Sequence, residues 1–181
     1  MACVRDCSGK PTATRYEWRG LGTESPTRRQ AGHANKIIYR KKQHNKMYTT
    51  ETQIRVHYAL TDQMGMVYHG HYAQFYEIGR GEAIRQIGYT YKDIEAMGII
   101  MPVVDIHSRF LRPAKYDDLI TVKTTLRELP VHHKIVFHSE IYNAGGELLN
   151  TGDVTLYFME ANGMKRCEMP AELKDALAKY F

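Results

Sequence analysis

The sequence has no run of eighteen apolar residues, the length at which a helix can cross a bilayer, and it does not open on a charged stretch followed by an apolar core and a small-residue cleavage site. Neither a membrane span nor a secretory leader is expected. Cysteine is sparse: Cys3, Cys7 and Cys167 are an odd number without paired spacing. They support neither a disulfide framework nor a zinc knuckle, and they suit a reducing cytoplasm. Acidic residues are scarce in one place only. Residues 1–46 hold 11 Lys and Arg against 3 Asp and Glu, an excess of eight, whereas the other 135 residues hold 14 against 17. The net charge of +5 therefore belongs to an extension, and the body of the protein is mildly acidic, which argues against a basic nucleic-acid face on the body.

The same extension lacks apolar periodicity, reading "GKPTATRYEWRGLGTESPTRRQAGHANK" before the basic cluster "YRKKQHNK". Such a segment buries too little surface to offset its ordering entropy, so residues 1–46 are expected to be disordered and Met47 to be the natural start. A nucleic-acid tail through Arg40, Lys41, Lys42 and Lys46 is the alternative, although these residues have little aromatic interleaving. A transit peptide would also be basic, but this stretch has no amphipathic apolar face. Residues 47–181 make one domain, and 43% apolar content is enough for its core.

Within that domain "TQIRVHYA" (52–59) alternates Ile54, Val56 and Tyr58 against Arg55 and His57, the period of a half-buried strand. "HYAQFYEIGRGEAIRQIG" then spaces Tyr72, Phe75, Tyr76, Gly79, Ala83, Ile84 and Ile87 by threes and fours, a helix that Gly88 can end. Gly79 and Gly81 would each cost this helix about 1 kcal/mol relative to alanine, which makes sense if a backbone packs close to them. Strands are predicted over 101–110, 119–128, 134–143 and 147–160, joined by turn punctuation such as "RPAKYDD" and "NAGG" into an antiparallel meander, with a bend or bulge near Gly152. A short helix from Ala171 closes the chain. One substantial helix and a curved antiparallel sheet imply an α+β domain with the sheet wrapped round the helix. The strand "KIVFHSEIYN" places Ile135, Phe137, Ser139 and Ile141 on one face and Val136, His138, Glu140 and Tyr142 on the other. That mixed second face suits a subunit interface, so a homodimer or homotetramer is expected.

The stretch "TDQMGMVYHGHY" carries the chemistry-bearing residues. Asp62, His69 and His71 offer metal ligands, but the histidines stand at i and i+2 with no further ligand at a zinc spacing. "GRGEAI" lacks the third glycine of a dinucleotide loop and lies within the helix. Asp62 is read either as a loop aspartate making an Asx-turn or as a functional carboxylate. On the second reading a strand ends, Gly65 turns the chain and a helix begins near His69, whose free N–H groups and positive dipole suit a polarised carbonyl. A carboxylate near such amides can serve acyl transfer as nucleophile or as base for water, and no serine or cysteine competes for the role.

"YALTDQMGMVYHGHYAQFYEIGR" resembles the signature of the 4-hydroxybenzoyl-CoA thioesterase-like group of hotdog-fold acyl-CoA thioesterases, and "SRFLRPAKYDDLITV" resembles the same family's segment between the second and third strands. The resemblance implies a hotdog fold and hydrolysis of an acyl-CoA or acyl carrier protein thioester, with coenzyme A entering as part of the substrate and no cofactor. It implies Asp62 as the catalytic carboxylate, the His69 amide as the group that polarises the thioester, and Gly65 as the turn residue. Tyr68, His69 and Tyr72 would line the acyl pocket or hold its loop, and Glu77 on the helix is the rival carboxylate. Arg109, Arg112 and Lys115 are candidates for the phosphates of coenzyme A, although a solvated hairpin rim is the plainer reading of each. Met64, Met66, Met97, Ile99, Ile100 and Met101 are candidates for the apolar end of the pocket. Two rivals remain: a hotdog dehydratase or hydratase using His69 or His71, whose glycine- and proline-rich loop is absent, and a non-catalytic acyl-thioester-binding module.

Overall fold

The computed structural model describes residues 46–181. The expectations of a disordered basic extension, and of its possible nucleic-acid role, fall on residues 1–45 and so lie outside the described residues, Lys46 apart.

The first strand, β1 (Tyr48–Arg55), begins four residues before the predicted one. Its inward residues are Tyr48, Thr50, Thr52 and Ile54, so half of its core face is threonine and apolar alternation reveals only the last part. Tyr58, expected in the strand, instead lies in a 3-10 turn and is 78% exposed. After a second 3-10 turn over His69–His71 the long helix α1 (Tyr72–Gln86) follows as predicted, burying Tyr72, Phe75, Tyr76, Gly79, Ala83 and Ile84, with Gly88 taking φ +95° beyond its end. Helix α2 (Tyr91–Ala96) was not predicted. It opens on a capping box in which Thr90 and Asp93 each bond the other's backbone N–H, a T-x-x-D signature present in the sequence.

Strand β2 (Ile99–Ile100) forms a two-stranded patch with β7 (Met159–Glu160). The main sheet comprises β1, β3 (Val103–Phe110), β4 (Leu119–Leu126), β5 (Lys134–Tyr142) and β6 (Leu148–Tyr157), in the order β1-β4-β5-β6-β3, all antiparallel. Helix α3 (Ala171–Ala178) covers one end with Leu173 and Leu177. The predicted meander holds for β4, β5 and β6 but not for β3, which pairs with β6. The linker "LRPAKYDD" does not fold into a hairpin because its backbone is engaged elsewhere: the Leu111 and Arg112 amides donate to the Leu149 carbonyl, and the Ala114 carbonyl accepts from Val67. It crosses from one side of the sheet to the other, passing the loop that holds Asp62.

The sheet wraps α1 closely because one rung beneath it is small. Thr50, Thr124, Ser139, Gly152 and Ser108 stand opposite one another across all five strands. A Cβ on Gly79 would come within 2.6 Å of Thr124 Oγ1, which accounts for that glycine; Gly81 has no such neighbour, its nearest being Tyr91 at 4.0 Å. Gly152 does not mark a bulge, contrary to expectation. The irregularities fall between Val103 and Asp105 and beside Leu149, whereas Gly152 is in register and bare because the ring of Tyr76 lies on it.

Candidate active site

The loop after β1 is a tight, self-braced turn. Asp62 N–H donates to the Met66 carbonyl (2.8 Å) and Gly65 N–H to the Asp62 carbonyl (2.9 Å), with Gly65 at φ +73°, a conformation that a side chain would strain. The Asp62 carboxylate takes part: Oδ1 accepts from the Met64 amide at 2.9 Å and the Met66 amide at 3.4 Å. The Asx-type arrangement is therefore present. So is proximity to a cleft.

That cleft, about 300 Å³, is walled on one side by Asp62, Met64, Met66, His69 and Tyr72. The opposite wall is Phe110, Leu111, Arg112 and Pro113 from the crossing segment. The turn His69–His71 starts the helical stack, and its first bond runs from His71 N–H to the Tyr68 carbonyl at 2.9 Å. The His69 amide precedes that bond, at the positive end of the α1 dipole. Tyr72 ties the two walls together. Its hydroxyl accepts from the Ala114 amide, its ring meets Phe110 edge-on at 5.0 Å, and burial pushes its phenol above the ordinary range. A larger hollow of about 560 Å³ at the β4–β5 hairpin, between Arg127 and His138, contains none of the predicted site residues.

Of the residues singled out by sequence, Asp62, His69, Tyr72 and Arg112 meet at this cleft, with Gly65 forming the turn beneath them. The others do not. Tyr68 is 45% exposed and stacks on His69 and His71 outside it. Glu77 points away from the core, its side chain 69% exposed and 3.7 Å from Arg80. Arg109 lies between Ser108 and Phe110, both turned toward α1, so strand alternation directs it to the outer face. Lys115 joins the loop through a backbone bridge to Met66, with its side chain exposed. Met64 and Met66 line the cleft as expected; Met97, Ile99, Ile100 and Met101 do not, because β2 is engaged with β7. The sequence reading missed Phe110, Leu111 and Pro113, since a segment read as a hairpin was given no role beyond its charges. The proline and the length of "LRPAKYDD", too long for a tight turn, were the available signal.

A sequence profile described as the thioesterase-like superfamily matches residues 56–177. The chain belongs to the thioesterase-like superfamily. Among individual relatives of this thioesterase, YneP of Bacillus subtilis (strain 168) is 39% identical over 102 residues, 56% of this chain and 73% of YneP. The acyl-CoA thioester hydrolase YbgC of Escherichia coli O157:H7 is 29% identical over 120 residues, covering 66% of this chain and 89% of YbgC. The crystal structure of DHNA-CoA thioesterase from Staphylococcus aureus superposes with a TM-score of 0.69 at 32% identity, over 72% of this chain and 89% of that one. The fold is the hotdog, a curved antiparallel sheet around a central helix. Among the described residues no helix is long and apolar enough to cross a membrane.

Proposed function

We propose that this thioesterase cleaves acyl-CoA thioesters to free acid and thiol, with Asp62 as the reacting carboxylate. The observation that carries the proposal is that Asp62 and the start of the helical stack line one cleft whose remaining wall is largely apolar. Among the described residues, the hydrogen bonds to the carboxylate end on Oδ1. They hold the group in orientation and leave Oδ2 to attack the carbonyl carbon or to take a proton from water. The His69 amide holds the developing oxyanion, the C–S bond breaks, and the thiolate leaves and takes up a proton as coenzyme A; on the nucleophilic route a water then cleaves the mixed anhydride, which frees the acid and restores the Asp62 carboxylate. The route calls on no metal or redox cofactor, and coenzyme A takes part only as half of the substrate. Arg112, at the rim and 3.9 Å from Glu147, is the side chain best placed to exchange its partner for a phosphate.

The working unit in this reading is a homodimer or a pair of dimers. Strand β3 is a sheet edge whose Val103, Val104, Ile106 and Phe110 are 40–52% exposed, a combination that favours pairing with a second copy. Among the described residues Cys167 has no disulfide partner, which is consistent with a cytoplasmic location.

Asp62→Asn tests the route. Turnover of an acyl-CoA panel, followed by thiol release, should fall about a hundredfold or more while the circular dichroism spectrum and melting temperature are retained. Near-normal turnover would remove Asp62 from the mechanism and promote Glu77. Sedimentation of Ile106→Lys should show loss of the oligomer; an unchanged assembly would move the interface to another face.

A further inference from the structure

One buried polar cluster has no part in the route above. Tyr76 on α1, Ser108 on β3 and Asn150 on β6 close a ring of hydrogen bonds: the Tyr76 hydroxyl donates to Asn150 Oδ1, Asn150 Nδ2 donates to Ser108 Oγ at 3.0 Å, and the two hydroxyls are 2.7 Å apart. If Ser108 donates that third bond, each of the three side chains gives one hydrogen and receives one. Tyr76 is 1% exposed and Asn150 is fully buried, so water does not offer an easy substitute for a lost partner. The cluster is built at a cost in sequence freedom, because Gly152 must stay bare for the Tyr76 ring to lie on β6.

Its position relates it to the cleft. Asn150 is the cross-strand partner of Phe110, and Ser108 is the next inward residue before Phe110 on β3. Tyr76 stands one helical turn after Tyr72, the residue whose ring Phe110 meets at 5.0 Å and 87°. Among the described residues strand β3 pairs on one side only, with β6, so within this domain its distance from α1 is set by this ring of bonds and by the Phe110–Tyr72 contact. The geometry points to Tyr76, Ser108 and Asn150 as positioning residues that fix Phe110 against Tyr72 and thereby set the room available to the acyl group. This inference rests on the proposed binding of the acyl group in the Asp62 cleft and adds what determines its size limit.

Thioether analogues separate the inference from the hydrolytic chemistry, because they bind without being cleaved. Affinities of S-acetonyl-coenzyme A, which carries a small group, and S-phenacyl-coenzyme A, which carries a bulky one, are measured by calorimetry for the full chain and for Tyr76→Phe, Phe110→Ala and the double variant. In Tyr76→Phe the affinity for the phenacyl analogue should fall about tenfold while that for the acetonyl analogue stays within about twofold. In the Phe110→Ala background the same substitution should have no further effect on the ratio. An equal loss for both analogues, or an undiminished loss once Phe110 is gone, overturns the inference and reduces the cluster to a general support of the fold. Should Tyr76→Phe fail to fold, Ser108→Ala opens the same ring and must give the same pattern. Thiol release from the acyl-CoA panel, acetyl- and benzoyl-CoA included, is run alongside: a wild-type chain that cleaves no member of it defeats the hydrolytic proposal, while the binding ratios still decide the role of the cluster.

Discussion

The two ends of α1 are built for different purposes. At its beginning the helical stack opens onto a cleft, with the amide of His69 ahead of the first turn's bonds and with exposed or half-exposed side chains around it. At its far end the helix is sealed. The Tyr48 hydroxyl donates to the Ala83 carbonyl at 2.6 Å, the Tyr48 ring packs on Tyr180, and Leu173 and Leu177 of α3 close over Ala83 and Ile84. The difference follows from the helix itself. Its start carries unpaired donors and the positive end of the dipole, which suit a polar transition state; its end offers carbonyls that a buried phenol can satisfy. On the proposed route, one helix thus separates chemistry from stability by about its own length.

This division can be broken from either side. The largest effect is expected at the sealed end: Leu177→Ala, at a residue 1% exposed, should cost about 3 kcal/mol in chemical denaturation while kcat at a temperature where the protein remains folded is unchanged. A parallel loss of kcat would show that the two ends are coupled. Asp62→Asn is the mirror image, a rate effect of about 2.7 kcal/mol or more in barrier with little change in melting temperature. Thr90→Ala removes the capping box of α2 and should cost about 1 kcal/mol. The Thr90 hydroxyl and amide hold the Asp93 carboxyl below its usual range. The folded value being depressed, the benefit is complete above the ordinary carboxylate range and is lost as pH falls through the lowered value. The gap between wild type and Thr90→Ala should therefore narrow in acid, and a constant gap would show that Asp93 is not the coupled group.

The smallest effect is alkaline. Burial, with the neighbouring Tyr180 adding to it, raises the Tyr48 phenol from about 10 to about 12. The raised value means that the fold favours the neutral form. The contribution is complete below pH 10 and lost as pH rises from 10 towards 12. Melting temperature should fall more steeply across that window in wild type than in Tyr48→Phe; equal slopes would show that Tyr48 does not titrate with unfolding.

The structure also shows which kinds of signal a single sequence carries. Helix α1 was legible because its apolar residues repeat at 3.6-residue intervals against a polar background. The inner face of β5 was legible from its two-residue alternation and that of α3 from the helical period. Strand β1 was displaced because Thr50 and Thr52 occupy core-side positions, a choice that makes sense only once the helix resting on the Thr50–Thr124–Ser139 rung is known. A glycine in a strand signals either a bend or a close approach, and at Gly152 only the partner, Tyr76, distinguishes them. The site divided in the same way. Asp62, Gly65, His69 and Tyr72 are close in sequence and were found together. The wall formed by Phe110, Leu111 and Pro113 comes from a segment some forty residues distant and was not.

Local order is what the sequence by itself determined: the strand, turn and long helix that carry Asp62 and His69, the three-strand meander β4-β5-β6, and the amphipathic closing helix. Their signals are short-range, since dihedral preference, capping and hydrophobic period act over a few residues. Tertiary structure alone decided that β3 pairs with β6, that "LRPAKYDD" crosses the molecule to face Asp62, and that Arg109, Lys115 and Glu77 stay out of the cleft while Arg112 enters it. Those outcomes depend on which backbone groups find partners across long sequence separations, and a donor or acceptor does not record its distant partner in its own neighbourhood.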